Sequence, residues 1–476
     1  MPRRSLPRLV VLALAVVSLA AIAVGLQPEP VAAHNTLLSS DPADGASLPT
    51  APTQIAWQFD NAVPLDTMTV TLIDATGVRS ELPGSVYGAA GDTEVITPLP
   101  SLQPGPVSIR WRLVGPDGHP ITGKVDFTLA TAPTTTTATA TITDTPATGP
   151  PPTDMTAVID DDTETSTTPS AIRWMLRYGS YLAIMATVGI LLTSAYVWAD
   201  AAHRPVLRLI LSYSLLVTAG LAFLQVLVIA SDVSGDAPWS SFGSIDAAMT
   251  TDAGMALMIR IVIALAMWIV LFQQRIEHPD LYWTVVTLPG LALLGTWAFA
   301  GHSRSMRWPT LGVLTDVAHH AAAAAWIGGL AIIGLIVIPR TGPEVLIPAV
   351  RNFSRVAAIS VAVLVGTGIV QSVRLVGNPA NLLDADHGLY LLVKLIIVIA
   401  MLGLATLNRR RVDAQLDDPA TLPRHLGTLR RAVVGEFAIG LVIIGVTAAM
   451  VVSPPATSTT EAGAPTSASD TVNYTL

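Results

Sequence analysis

The stretch Val107-Ser108-Ile109-Arg110-Trp111-Arg112-Leu113, followed after Val114 by Gly115-Pro116-Asp117-Gly118-His119-Pro120, decides how the first third of this chain folds. Apolar and polar residues alternate with period two, the pattern of a strand with one face in a core and the other in water. The Pro, Gly and Asp cluster behind it ends the strand, and Asp117-Gly118 is a common hairpin turn pair. Thr69-Val70-Thr71-Leu72-Ile73 repeats the alternation. Residues 34–130 therefore read as a small all-β sandwich.

Towards the amino terminus, Arg3, Arg4 and Arg8 precede an apolar run from Leu9 to Leu26, and Val31-Ala32-Ala33 supplies the small residues of a signal-peptidase site. Residues 1–33 read as a signal peptide whose removal leaves His34 first. A run of this length also fits an uncleaved anchor helix. In the other direction, residues 131–170 are rich in Thr, Pro and Asp and cannot bury a core, so they read as a flexible linker.

The rest is dominated by apolar sequence. Of 476 residues, 51% are hydrophobic and only 13% charged, and the mean hydropathy of +0.56 is that of a membrane protein. About eight stretches approach the roughly 20 residues a span requires. They begin near Trp174, Val206, Ala253, Tyr282, Val313, Phe353, Leu389 and Val433 and make residues 171–453 a polytopic helical bundle. Connections carrying Arg204 and Arg208, Arg275, Arg340 with Arg351 and Arg355, and Arg409 to Arg431 alternate with poorer ones, which places the basic set in the cytoplasm. The β-domain, the acidic loop with Asp232, Asp236 and Asp246, and the Ser/Thr/Pro-rich tail 454–476 are then outside, the tail disordered. The chain reads as a multi-pass protein of the cell membrane with the lipid bilayer as a partner. Its net charge of -8 offers no basic face for nucleic acid.

With no cysteine in the chain, metal ligands are limited to His, Met, Asp, Glu and nitrogen of the main chain. A mature terminus at His34 provides an α-amino nitrogen and an imidazole, while Asp117 and His119 add a carboxylate and a second imidazole. Nitrogen and oxygen donors of this kind suit tetragonal Cu(II). The alternative reading of the Asp117–His119 segment is a plain hairpin turn. In the membrane region, Gly301-His302-Ser303 ends one span, and Asp316, His319 and His320 lie near the outer start of the next. Ionisable groups at that depth face a bundle interior or a water-filled cavity. Met255 and Met258, with Met249 and Met306, place thioethers suited to Cu(I) in the same outer region, although methionine in a helix also serves as packing. His387 stands between these alternatives as entrance ligand or solvated loop. Arg260, Lys394 and Glu436 fall in or beside apolar runs and either pair internally or reach an interface.

Two stretches carry a family resemblance. The opening run His34-Asn35-Thr36-Leu37-Leu38-Ser39-Ser40-Asp41-Pro42-Ala43-Asp44-Gly45 and the closing Gly115–Pro120 motif, with Gly123 and Phe127, resemble the CopC family. That resemblance implies a Greek-key β-barrel of cupredoxin-like shape, with Cu(II) held by His34, Asp117 and His119. Met68 is the only methionine of this domain, which departs from relatives with a Met-rich Cu(I) site. Gly301-His302, the run Asp316 to Leu330 with His319, Trp326, Gly328 and Gly329, then Phe353-Ser354-Arg355 and Arg430-Arg431 with Glu436 resemble the CopD family of copper uptake or tolerance. The resemblance implies a copper-handling fusion in which the β-domain captures Cu(II) outside and the bundle carries copper as Cu(I) or Cu(II), preferably inward. A reductase or copper chaperone is the expected protein partner. No Gly-x-x-x-x-Gly-Lys-Ser/Thr pattern occurs, so ATP hydrolysis is not expected and the chain reads as no enzyme. The alternatives are a haem-binding redox protein that reduces Cu(II) through paired membrane histidines, and a copper buffer or sensor for which the helices are only an anchor.

Overall fold

In a computed structural model of the chain, the residues described are 35, 37–115, 118, 120–130, 168–198, 204–273, 279–300, 308–376, 386–416 and 422–452. The expected signal segment 1–33, the linker up to residue 167 and the tail 454–476 lie outside them. The chain divides into two compact units, one holding the β-domain with Ala230–Ala247 and the other holding the helices.

The β-domain is a two-sheet sandwich of nine strands. They are β1 (Leu37–Asp41), β2 (Ala46–Leu48), β3 (Gln54–Phe59), β4 (Thr69–Ile73), β5 (Arg79–Glu81), β6 (Val86–Gly88), β7 (Gly91–Pro98), β8 (Gly105–Val114) and β9 (Pro120–Leu129). One sheet has the order β1-β3-β7-β6 and the other β2-β9-β8-β4-β5. All pairings are antiparallel except β2 with β9, a parallel join that local alternation does not foretell. The inward residues follow the period of two. Ile55, Trp57 and Phe59 of β3 face Val107, Ile109, Trp111 and Leu113 of β8, and all are buried. Trp111 makes edge contacts with Phe59 and Trp57, at centroid distances of 5.2 and 6.4 Å. Opposite Trp111 stands Gly123, where any Cβ would run into the indole ring.

Among the described residues the helical unit contains eight long helices: α1 (Ser170–Tyr196), α2 (Pro205–Ser234), α3 (Asp252–Gln273), α4 (Pro279–Ala300), α5 (Pro309–Ile332), α6 (Pro343–Val376), α7 (Asp386–Leu416) and α8 (Leu422–Val452). Seven are long and apolar enough to cross a membrane among the described residues. The remaining one, α4, matches the expected span near Tyr282, but its described apolar stretch is the shorter Leu288–Phe299. Helix α2 runs on to Ser234 and takes Asp232, expected in the outer loop, into its final turns. Helix α5 is central and packs against α1, α4, α6 and α8. It continues through a π-helical turn at Ile333–Val337 to Arg340. Its approach to α1 depends on glycine: a Cβ on Gly189 would lie 2.8 Å from Gly328 Cα and 2.9 Å from the Ala324 carbonyl. Small residues let helix backbones meet this closely.

Candidate functional site

The β-domain site expected from sequence, His34 with Asp117 and His119, falls outside the described residues. Its described neighbours are well anchored. Strands β8 and β9 pair along their whole length, from Gly105 with Leu129 to Val114 with Pro120, and in sequence Asp117 and His119 fall between their paired ends. Gly118 has φ of 78°, a conformation that favours glycine, and its N–H donates to the Gly115 carbonyl at 2.9 Å. Gly118 thus has a turn conformation, while Asp117 and His119 on either side lie outside the described residues. The Val114 carbonyl accepts from Thr67 Oγ1 at 2.8 Å, which ties the end of β8 to the segment before β4. Asn35 is 3% exposed and its Nδ2 donates to the Ala62 carbonyl at 2.8 Å, holding the residue next to His34 against that same segment. Asn35 Oδ1 is buried with no hydrogen-bond partner. Asn35 and Val114 are thus both bonded to one stretch, residues 61–67.

In the helical unit, Asp316, His319 and His320 lie 7 to 11 residues into α5, about 10 to 16 Å from its first residue at 1.5 Å per residue. Hydrogen bonds define both imidazoles. Thr367 of α6 donates its one hydroxyl proton to the Val363 carbonyl at 2.6 Å, so its contact of 2.9 Å with His319 Nδ1 makes that nitrogen the donor. His320 Nδ1 lies 2.8 Å from the Asp316 carbonyl, which only accepts, so this nitrogen too carries the proton. In the neutral form of each ring Nε2 is then the unprotonated nitrogen, the form that binds metal. His320 stacks on Tyr181 of α1 and meets Trp297 of α4 at a tilt, with centroids 5.9 and 5.0 Å away. The Asp316 carboxylate accepts from Gln371 Nε2 of α6 at 3.2 Å and stands 3.4 Å from His320 Nδ1.

The two histidine rings lie 6.3 Å apart. Among the described residues, no three His, Asp or Glu side chains group closely enough to hold a metal ion. The histidine pair therefore supplies two nitrogens, and any further donor must come by rearrangement or from other residues. His302 and Met306 lie outside the described residues. His387 is placed in the first turn of α7, and its side chain is outside the description. Met255 is 52% exposed, on a different face of α3 from the buried Ala253, Ala256, Leu257 and Arg260, and Met258 is half-buried. Five residues of helix set Met255 about 140° around α3 from the buried Arg260.

Glu436 of α8 pairs internally: it is 7% exposed and accepts from Asn408 Nδ2 of α7 at 2.7 Å. The two line a cleft of about 350 Å³ with Trp326, Phe353 and Arg409. Arg260 is likewise internal, 1% exposed. Thr367, Gln371, Tyr181, Trp297 and Asn408 escaped the sequence reading. Each meets its partner across helices far apart in the chain, and no local pattern marks it.

The comparisons with known proteins cover both units. Residues 37–130 match the CopC domain, residues 168–308 the N-terminal domain of copper resistance protein D-like proteins, and residues 347–450 copper resistance protein D. The chain is 23% identical over 442 residues to the copper transport protein CutJ of Bacillus subtilis (strain 168), covering 90% of this chain and 75% of that one. It is 26% identical over 251 residues to copper resistance protein D of Pseudomonas syringae pv. tomato, covering 49% of this chain and 80% of that one. With copper resistance protein C of the same organism it shares 38% identity over 106 residues, 20% of this chain and 79% of the relative. Among solved structures, the methionine-rich copper resistance protein PcoC of Escherichia coli matches with 28% identity and a TM-score of 0.19, over 21% of this chain and all of that one.

Proposed function

This chain belongs to the copper-resistance family, with a CopC domain and CopD domains joined in one multi-pass membrane protein, and on that premise we propose that it captures copper outside the cell membrane and carries it inward. The carrying observation is the pair His319 and His320, whose hydrogen bonds leave both Nε2 atoms open in the interior of the bundle. Intramembrane ionisable groups are costly and mark ion pathways.

In this reading Cu(II) binds outside to His34, through its α-amino group and ring, with Asp117 and His119. The bundle receives copper at His319 and His320 with Asp316 beside them. Thr367 and the Asp316 carbonyl act on copper only through the rings: each holds one imidazole in the Nδ1–H form. The orientation is supported by the basic residues, since Arg204, Arg340, Arg351 and Arg355 gather at connections of one parity. The name of CutJ, a copper transport protein, supports transport for the whole chain.

Copper accumulation by cells grown in scarce copper tests the proposal. Cells with the intact chain are expected to gain copper over cells lacking it, and a His319→Ala, His320→Ala double variant is expected to lose that gain. Equal accumulation by the intact chain and the double variant, at equal membrane abundance, sinks the transport role of the pair.

A further inference from the structure

We propose that the outer half of the helical unit binds a small inorganic anion of the halide class against Arg260, and that copper reaches the histidine pair in company with that anion. The second clause rests on the copper reading above; the first stands on the geometry of Arg260.

Arg260 lies eight residues into α3, about 12 Å from the first residue of the helix. It is 1% exposed. Its Nε donates to Thr296 Oγ1 of α4 at 2.9 Å, its Nη1 to Ser180 Oγ of α1 at 3.3 Å, and its guanidinium carbon stands 5.3 Å from the centre of the Trp297 ring. These partners are neutral. A guanidinium has five N–H donors, and the two hydroxyls engage two of them. Among the described residues no carboxylate pairs with it. Buried charges in proteins are normally paired, and most strictly so within a membrane.

The surroundings deepen the imbalance. Arg177 bonds to Tyr181 and interacts with Arg260. Arg374 and Lys394 both interact with Asp316. Among the described residues, four cations therefore share this region with one carboxylate, Asp316, and Arg374 has a further interaction of its own. A bare copper ion brought to His319 and His320 meets a field of its own sign, and an anion at Arg260 offsets it. The two places share a neighbour, because the Trp297 ring stands 5.3 Å from the guanidinium carbon and 5.0 Å from the His320 ring.

The test is iodide titration of the copper-free full-length chain in detergent or nanodiscs, read by tryptophan fluorescence at ionic strength held constant with sodium gluconate. Trp297 serves as the local reporter. The expected result is a saturable quenching component that is lost in Trp297→Phe, weakened at least tenfold in Arg260→Gln, retained in Arg260→Lys and relieved by chloride. A purely linear titration, or the same saturation in a folded Arg260→Gln protein, overturns the site. Should Arg260→Gln fail to fold, Arg374→Gln takes its place, with a severalfold loss of iodide affinity expected and an unchanged affinity refuting the cationic cluster as its cause. Repeating the titration with Cu(I) present tests the second clause. Halide affinity that rises severalfold supports joint arrival, and unchanged affinity rejects it. Neither result depends on cellular copper uptake, so failure of the anion site and failure of the transport reading are told apart.

Discussion

His319 and His320 are neighbours in the chain, yet α5 turns their rings towards different helices, His319 to Thr367 of α6 and His320 to Tyr181 and Trp297. The consequence at the residue scale is that each ring is oriented by a separate support. Thr367→Val removes the acceptor that holds His319 in its Nδ1–H form. Losses of this kind typically weaken metal affinity about 10–100-fold, and Cu(I) competition titration of the purified chain checks it, with full affinity in the variant removing His319 from the ligand set. In the β-domain, adding one alanine before His34 displaces the α-amino ligand, and electron paramagnetic resonance of Cu(II) is expected to show an altered or weakened tetragonal signal. Copper affinity there is also expected to fall with acidity, because protons compete for an amine with an ordinary pKa near 7.7–8.0 and imidazoles near 6.5. The drop should steepen below about pH 6.5, and a pH-independent affinity between 5 and 8 argues for carboxylate ligands alone.

At the scale of elements, glycine decides two close approaches. Gly123 on β9 leaves room for the Trp111 ring, and filling that space forces an already packed core apart. Gly123→Val is expected to cost about 1–3 kcal/mol of β-domain stability, measurable by urea unfolding of residues 34–130; unchanged stability means that the ring moves aside freely. Gly328 and Gly189 bring α5 and α1 together so closely that Gly328→Leu has no space without separating the helices. Because α1 carries Tyr181 and Ser180, that separation is expected to disturb His320 and Arg260 and to lower the yield of folded protein, as read by size-exclusion profile. The strands were legible from alternation, since Ile55, Trp57 and Phe59 do face inward as period two demands. The parallel pairing of β2 with β9 was not, because it joins residues some 80 positions apart through main-chain bonds that any side chain permits.

At the scale of the whole molecule, a capture domain joined to a bundle implies a dependence on concentration. Removing residues 34–130 while keeping residues 1–33 is expected to lower copper accumulation in scarce copper and to matter little in excess, where the bundle fills directly. Equal accumulation at both levels by the shortened and full chains sets aside capture as the role of the β-domain.

Composition, period and motif together determined the β-domain, the run of apolar helices and the candidates His34, Asp117, His119, Asp316, His319 and His320, because burial and metal affinity are written in residue type and spacing along one chain. Tertiary structure alone decided which nitrogen of each membrane histidine is open, that Glu436 meets Asn408, and that Arg260 is buried with no carboxylate paired to it among the described residues. Those outcomes depend on helix rotation and on contacts between helices distant in sequence. A change of one residue in register turns a side chain about 100° around its helix without altering composition at all.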